Sequence, residues 1–322
     1  MVTDKRFTTD PNYQNIGDLP TGYFAYRDID LREIYLRPFR LTELPLIHLT
    51  ANSPRGIFHL TRAVNACSSV DVNVLTDGDF TFLLAWLRRS SYPESPTFVR
   101  WTCANTVMRK IGGDDGVVTG VSHEDMAYQG LEYGTCGWET NELINNAAMR
   151  ITSLEDDFDS LPSFMDFPRV GTLQELNDIR KECPEDAQMA EYARWVKAGN
   201  TLEEKLVALD VLSTEQFVEL MRVSKEHYHG VYEMLPLRCR NCGYKTTYRQ
   251  NVNFTTFFAD NSDKNILDIQ YSLLAEFGLQ PNENMLVKQL LYHNSCLVKD
   301  RKEDEEKRRL DKAVRGNKYG RR

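Results

Sequence analysis

The sequence has no run of about 18 apolar residues, so no segment reads as a membrane-spanning helix. Its first residues, Met1-Val2-Thr3-Asp4-Lys5-Arg6-Phe7, lack the apolar core of a secretory signal, and the expectation is a chain made and kept in a reducing cytosol. Cysteine is sparse: seven in 322 residues, an odd number and widely scattered, which argues against a secreted disulfide framework. Positive charge is in deficit, with 39 Lys and Arg against 47 Asp and Glu and a net charge of −8, so a duplex-binding surface spread over the fold is not expected.

Catalytic signatures are missing as well. There is no G-x-G-x-x-G, no P-loop and no nucleophile elbow. The stretch His-Glu-Asp-Met at 123–126 lacks the second histidine of a zincin helix and reads as a loop or cap. The Gly-Gly-Asp-Asp-Gly cluster at 112–116 reads as a turn, and an enzyme built on His123 and that Asp-rich turn is the weakest of the functions considered. The acidic runs Glu155-Asp156-Asp157 and Glu303-Asp304-Glu305-Glu306 read as solvated charge rather than general acid and base. The expectation is a protein that is not an enzyme.

What is present is enough apolar material, 41% of residues, for a real core in one large domain or two ordinary ones. Residues 1–29 read as an extended, turn-rich arm. Alternation over Ile34–Phe39 predicts a strand. Thr42 then reads as the N-cap of a helix over 43–51, and Ser53 with Pro54 as the start of a second, carrying Ile57, Leu60, Ala63 and Val64 on one face. A third helix is announced by Thr76 and Asp79, an approximate capping box, and buries Phe80, Leu83, Leu84 and Leu87. Residues 97–103 read as a strand ending in cysteine.

The same order recurs later. Thr201 with Glu204 and Ser213 with Gln216 form capping boxes, Phe217, Leu220 and Met221 repeat Phe80, Leu83 and Leu84, and a strand leads into Cys239. The separation is 137 residues at the caps and 136 at the cysteines. This predicts a predominantly helical α+β fold made of two related helix–helix–strand units from an internal duplication, with small antiparallel β-hairpins and a C-terminal helical extension. The corresponding segments are an arm at 1–29, a first unit at 30–147, an acidic linker at 148–184, a second unit with a Cys-x-x-Cys knuckle at 185–260, and C-terminal helices with a charged tail at 261–322.

The stretch Arg238-Cys239-Arg240-Asn241-Cys242-Gly243-Tyr244 has three readings: half of a metal site, a bare turn of reduced cysteines, or a redox pair. Strand-like residues on its far side disfavour the redox reading, because that motif opens a helix. Zinc requires four ligands. The duplication nominates Cys103, whose local partner is absent because Thr106 stands where a cysteine is needed; Cys136, also followed by glycine, is the substitute. His227 and His229 form a rival pair with Cys239 and Cys242 but read as solvated, and Cys67, Cys183 and Cys296 read as small packing residues. A zinc ion held by four thiolates has no open position and is structural.

Several of these stretches together resemble a known family. Arg37, Pro38 and Phe39; Leu75, Thr76, Gly78, Asp79 and Phe80; Leu83, Leu84, Trp86, Leu87 and Arg88; Ser91 and Tyr92; and Cys103 resemble the pattern of baseplate proteins of contractile-tailed, T4-like bacteriophages. The resemblance covers residues 30–103 well and 200–260 loosely. The chain departs from it at the first cysteine, where that family often shows a paired Cys-x-x-Cys. It implies a non-enzymatic structural or assembly subunit near the baseplate hub, assembled in the host cytoplasm and carried in the virion. Its partners would be other tail proteins in a multi-copy assembly, with no nucleic acid and no membrane insertion. The alternative is a zinc-knuckle regulator that binds nucleic acid through the basic tip Arg315, Lys318, Arg321 and Arg322.

Overall fold

A computed structural model describes residues 7, 9–22, 24–26, 31, 33–93, 97–110, 117–118, 131–144, 149–154, 161–227, 229–251 and 281–319, with a few isolated positions between 258 and 278. The cluster at 112–116, the segment at 123–126 and the acidic run at 155–157 lie outside the described residues, as does most of 259–280. The fold is α+β with helices predominating, and the sheets are small. The chain divides into two compact units: Met1–Pro93, Ser153–Gly230 and Asn253–Arg322 form one, and Glu94–Thr152 with Val231–Val252 the other. Sequence segments 30–147 and 185–260 therefore each contribute helices to the first unit and strands to the second.

In the first unit, β1 (Gln14–Asn15) pairs antiparallel with β2 (Tyr35–Leu36). The alternation at 34–39 predicts a longer strand, but the ladder stops at Leu36 because the later backbone groups are engaged elsewhere. The Arg37 N–H donates to the Cys67 carbonyl, Pro38 has no N–H, and the Phe39 N–H donates to Ser91 Oγ at 2.9 Å. A 3-10 turn, Leu41–Glu43, leads into α1 (Leu44–Asn52). Thr42 is not its cap. The Glu43 carboxylate takes the Arg40 N–H at 2.6 Å and a two-pronged contact from buried Arg37 at 2.9 and 3.0 Å. Ser53 closes α1 instead of opening the next helix. Its φ of −122° and ψ of 145° are the extended conformation that a residue before proline prefers, and α2 (Gly56–Asn65) begins only after Arg55.

The centre of this unit is α3 (Asp77–Ser91), capped by Thr76, whose hydroxyl accepts the Asp79 N–H at 3.2 Å. Phe80, Leu83, Leu84 and Leu87 are wholly buried, as the predicted face requires, and Arg88 and Ser91 are buried with them. Each such apolar side chain contributes about 1.5–3 kcal/mol by burial.

The later helices α4 (Leu173–Glu182), α5 (Ala187–Ala193), α6 (Leu202–Asp210) and α7 (Thr214–Glu226) enclose a core that includes Leu176, Ala190, Val196, Leu202, Leu209, Leu220 and Val223. Both capping boxes predicted there, Thr201 with Glu204 and Ser213 with Gln216, are formed. At the end of α5, Arg194 grips Asp77 in the first turn of α3 through two bonds of 2.6 Å.

The part of the predicted C-terminal helices before 281 lies mostly outside the described residues. After Pro281 the chain forms one helix, α8 (Val287–Tyr319), which takes in the charged tail. Its start is fixed by the Val287 N–H on the Phe39 carbonyl and by buried Val287, Leu290 and Leu297. From Val298 to Arg309 every residue is exposed.

In the second unit, β3 (Thr97–Thr102) pairs antiparallel with β7 (Glu139–Ile144), from Thr97↔Ile144 to Thr102↔Glu139. Between them in sequence lies a separate sheet ordered β5-β4-β6, made of β4 (Thr106–Lys110), β5 (Val117–Val118) and β6 (Leu131–Thr135). A third sheet holds β8 (Met149–Thr152), β9 (Gly230–Arg238) and β10 (Lys245–Asn251), with β9 and β10 antiparallel from Tyr232↔Asn251 to Arg238↔Lys245.

Candidate metal centre

Two turns of the second unit converge. In the first, β3 ends at Thr102 and delivers Cys103, while Cys136, Gly137 and Trp138 lead into β7. The Cys103 N–H donates to the Trp138 carbonyl at 2.9 Å, and the Gly137 N–H donates to the Cys103 carbonyl at 2.9 Å. In the second, β9 delivers Cys239 and the chain turns through Cys242, Gly243 and Tyr244 into β10. Here the Cys239 N–H donates to the Tyr244 carbonyl at 2.8 Å and the Gly243 N–H to the Cys239 carbonyl at 3.0 Å. The glycines let the turns close: Gly137 has φ of +64° and Gly243 of +73°, a region that side chains with a β-carbon rarely enter.

The four sulfurs Cys103, Cys136, Cys239 and Cys242 lie within 4.8 Å of one another. The separation is 3.7 Å between Cys103 and Cys242, and 3.6 Å between Cys136 and Cys239. A tetrahedral ion with metal–sulfur bonds of about 2.3 Å has ligand edges of about 3.8 Å, so these separations suit one mononuclear ion. Such a sulfur set in this geometry is typical of zinc or iron. Three of the cysteines are buried, and Val107, Leu237 and Trp138 pack around them.

Electrostatics point the same way. Burial pushes the Cys103 thiol above the ordinary range, against the pull of the Asn105 backbone N–H, and burial likewise raises Cys136 against the N–H of Trp138. Cys242 is held below that range: burial works against the thiolate, but the Tyr244 backbone N–H, the Asn105 amide and the neighbouring thiols outweigh it. Four thiolates this close repel one another, and a bound dication removes that penalty. Two side-chain amides also reach the sulfurs. Asn105 Nδ2 donates to Cys242 Sγ and Asn241 Nδ2 to Cys136 Sγ, each at 3.6 Å. The sequence reading missed both asparagines, although each stands two residues after a turn-opening cysteine.

All four cysteines nominated from sequence are thus brought together, and neither histidine belongs to the group. His229 is not solvated. It is buried in the first unit, where its Nε2 lies 2.9 Å from Thr76 Oγ1 and its ring meets Phe167 edge-on at 5.2 Å. Thr76, His229 and Asp79 superficially suggest a hydroxyl–imidazole–carboxylate triad. Thr76 and Asp79 are wholly buried, however, and the Asp79 carboxylate already accepts from Thr21, Tyr26 and Thr76, so the network caps and anchors α3. Cys67 packs in the core as expected, whereas Cys183 and Cys296 are exposed. Among the described residues no helix is long and apolar enough to cross a membrane.

No family model matches the chain, and neither curated proteins nor solved structures provide a match.

Proposed function

We propose that the protein is a structural or assembly subunit of a contractile-tail baseplate, acting through contacts with other tail proteins, and that its four clustered cysteines hold one structural zinc ion. The observation that carries the contact role is α8. Its described surface from Val298 to Arg309 is exposed without interruption and offers mixed blocks of charge rather than an apolar face for its own core. The residues behind the baseplate resemblance support a scaffold role. Arg37, Phe39, Thr76, Asp79, Phe80, Leu83, Leu84, Leu87, Arg88, Ser91 and Tyr92 are buried, which is where fold-specifying residues sit.

The zinc reading rests on the donor set: four thiols at tetrahedral spacing, supplied by two turns, with backbone and amide N–H groups turned toward the sulfurs. The residues fill four positions and leave none for substrate, so the ion's contribution is to join two strand turns.

The test is truncation after Val298, followed by co-expression with candidate tail proteins. Retained folding with weakened co-assembly supports the reading. A truncated chain that assembles as well as the full one refutes it, and salt-sensitive DNA binding lost on truncation would favour the nucleic-acid regulator instead.

A further inference from the structure

The two turns of the metal centre share more than cysteines. Aligned on their hydrogen bonds, Cys103 corresponds to Cys239, Asn105 to Asn241, Cys136 to Cys242, Gly137 to Gly243 and Trp138 to Tyr244. Both leading cysteines donate to the carbonyl of the closing aromatic residue, and both glycines donate back to the leading cysteine. Both glycines have positive φ. Each asparagine donates to the trailing cysteine of the other turn, Asn105 to Cys242 and Asn241 to Cys136, at the same 3.6 Å. The close sulfur pairs also exchange under this correspondence, Cys103 with Cys242 and Cys136 with Cys239. Such reciprocity is what an approximate two-fold axis through the site would impose.

The turns differ in how Cys242, less buried than Cys136, is bonded, its N–H donating to Cys239 Sγ at 3.4 Å, and in their connectivity. Asn241 and Cys242 are joined by a peptide bond, whereas thirty residues, Thr106–Thr135, separate Asn105 from Cys136. The two ends of that stretch are nevertheless held together. The Cys136 N–H donates to the Asn105 carbonyl at 2.8 Å. That hydrogen bond holds the Asn105 carbonyl and the Cys136 nitrogen, the two groups that a direct Asn105–Cys136 peptide would join, next to each other. The stretch leaves and returns as a paired ladder, with Thr106 opposite Thr135 and Lys110 opposite Leu131.

We propose that the first turn is the same knuckle as the second, opened between Asn105 and Cys136 by the inserted β4–β6 module, and that Asn105 and Asn241 are matched positioning residues for the metal-bound thiolates. This rests on the zinc reading and extends it. The ligand set is complete without the insert, and the sequence Cys-Ala-Asn-Cys-Gly-Trp that its removal creates parallels Cys-Arg-Asn-Cys-Gly-Tyr of the second turn. Thr106–Thr135 is then an appendage carried by the centre, while the two amides, each reaching across to the opposite turn, fix the trailing sulfurs and share their negative charge.

The experiment compares the full chain with a version lacking 106–135, in which Asn105 is joined directly to Cys136. Each is measured by elemental analysis, by the absorption of the cobalt(II)-substituted protein, and by competition with a chelator. The expected result is one ion per chain in both, the same sulfur-to-cobalt charge-transfer band, and affinities within about threefold, small against the 10–100-fold loss typical when supporting groups of a metal site are removed. In the full chain, Asn105→Ala and Asn241→Ala should each weaken metal binding by about tenfold, and by similar factors. These single variants keep the inference testable where the shortened chain does not fold. If the unaltered chain holds no metal, the zinc reading itself falls. If it holds metal but the folded, shortened chain does not, the insertion is overturned and the zinc reading stands. Unchanged affinity in both asparagine variants, or loss in only one, overturns their matched role.

Discussion

A β-carbon on Gly78 would stand 2.3 Å from Cδ2 of His229 and 2.5 Å from that residue's carbonyl oxygen. The ring could turn aside, but the carbonyl is backbone and cannot. The glycine in the first turn of α3 is therefore required by a residue 151 positions away, at the exit of α7. The approach is mutual: Gly230 has φ of +114°, and a β-carbon there would lie 2.7 Å from Gly78 Cα.

Gly78→Ala should accordingly destabilise the first unit by about 1–3 kcal/mol, as overpacking does, despite alanine being the better helix former. Chemical denaturation followed by far-UV circular dichroism measures it. A neutral or stabilising substitution would mean that His229 does not sit against α3.

His229 gives a pH signature. The Thr76 hydroxyl donates to Asp79 at 3.0 Å, so the 2.9 Å contact to Thr76 is made by a protonated Nε2 of a neutral ring. Burial lowers its pKa below the ordinary 6.5, opposed by Asp79, the His227 carbonyl and Asp77. The unfolded chain therefore takes up a proton before the folded one does. Stability should decline as pH falls below about 6.5, by no more than about 1.4 kcal/mol per pH unit for one proton, and level off below the folded pKa. His229→Gln should remove this component from the pH profile, and an unchanged profile would refute the assignment.

The caps Thr76 and Ser213 should not be equivalent. Ser213 is exposed and holds one N–H of α7. Thr76 is buried and bonds the Asp79 N–H, the Asp79 carboxylate and His229 together. Ser213→Ala should cost about 0.5–1 kcal/mol, and Thr76→Ala about 2 kcal/mol or more, because it leaves buried partners unsatisfied. Equal losses in urea denaturation would contradict the network.

Chelation should strip amide-exchange protection from β3, β7, β9 and β10, and zinc should restore it. Cys136→Ser should abolish stoichiometric metal, and apparent affinity should fall with pH as protons compete for the sulfurs. Unchanged exchange after verified metal removal would show that packing alone holds these strands.

Local chemistry was the legible part of the fold. The caps Thr76, Thr201 and Ser213, the faces of α2 and α3, and the strands leading into Cys103 and Cys239 follow from side chains within one turn of the feature they specify. Ser53 is ambiguous in sequence because Ser-Pro can follow a helix as well as precede one, and only tertiary contacts decide which. The pattern at Ile34–Phe39 predicts more strand than forms because extended backbone alternates whether or not it finds a ladder. At the cysteine cluster, the recurring order of elements points to Cys103 and the following glycine to Cys136. Thirty-two intervening residues conceal their adjacency, since closure of that stretch depends on a hydrogen bond from Cys136 to Asn105 that sequence spacing does not encode. The burial of His229 was illegible for a related reason: its partners Thr76 and Gly78 lie about 150 positions away.

A single helix running from Val287 to Tyr319 carries angular information as well as reach. At 1.5 Å per residue its 33 residues extend about 50 Å, and every residue past Leu297 has its direction set by the buried turns before it. Removing one residue between 299 and 309 shortens the helix by only about 1.5 Å but swings everything beyond by about 100°. Removing seven shortens it by about 10 Å and leaves the far surface within about 20° of its original heading. A partner that grips one side of the distal helix would tolerate the larger deletion better than the smaller. α8 then behaves as a phased coupling, in which azimuth matters more than length.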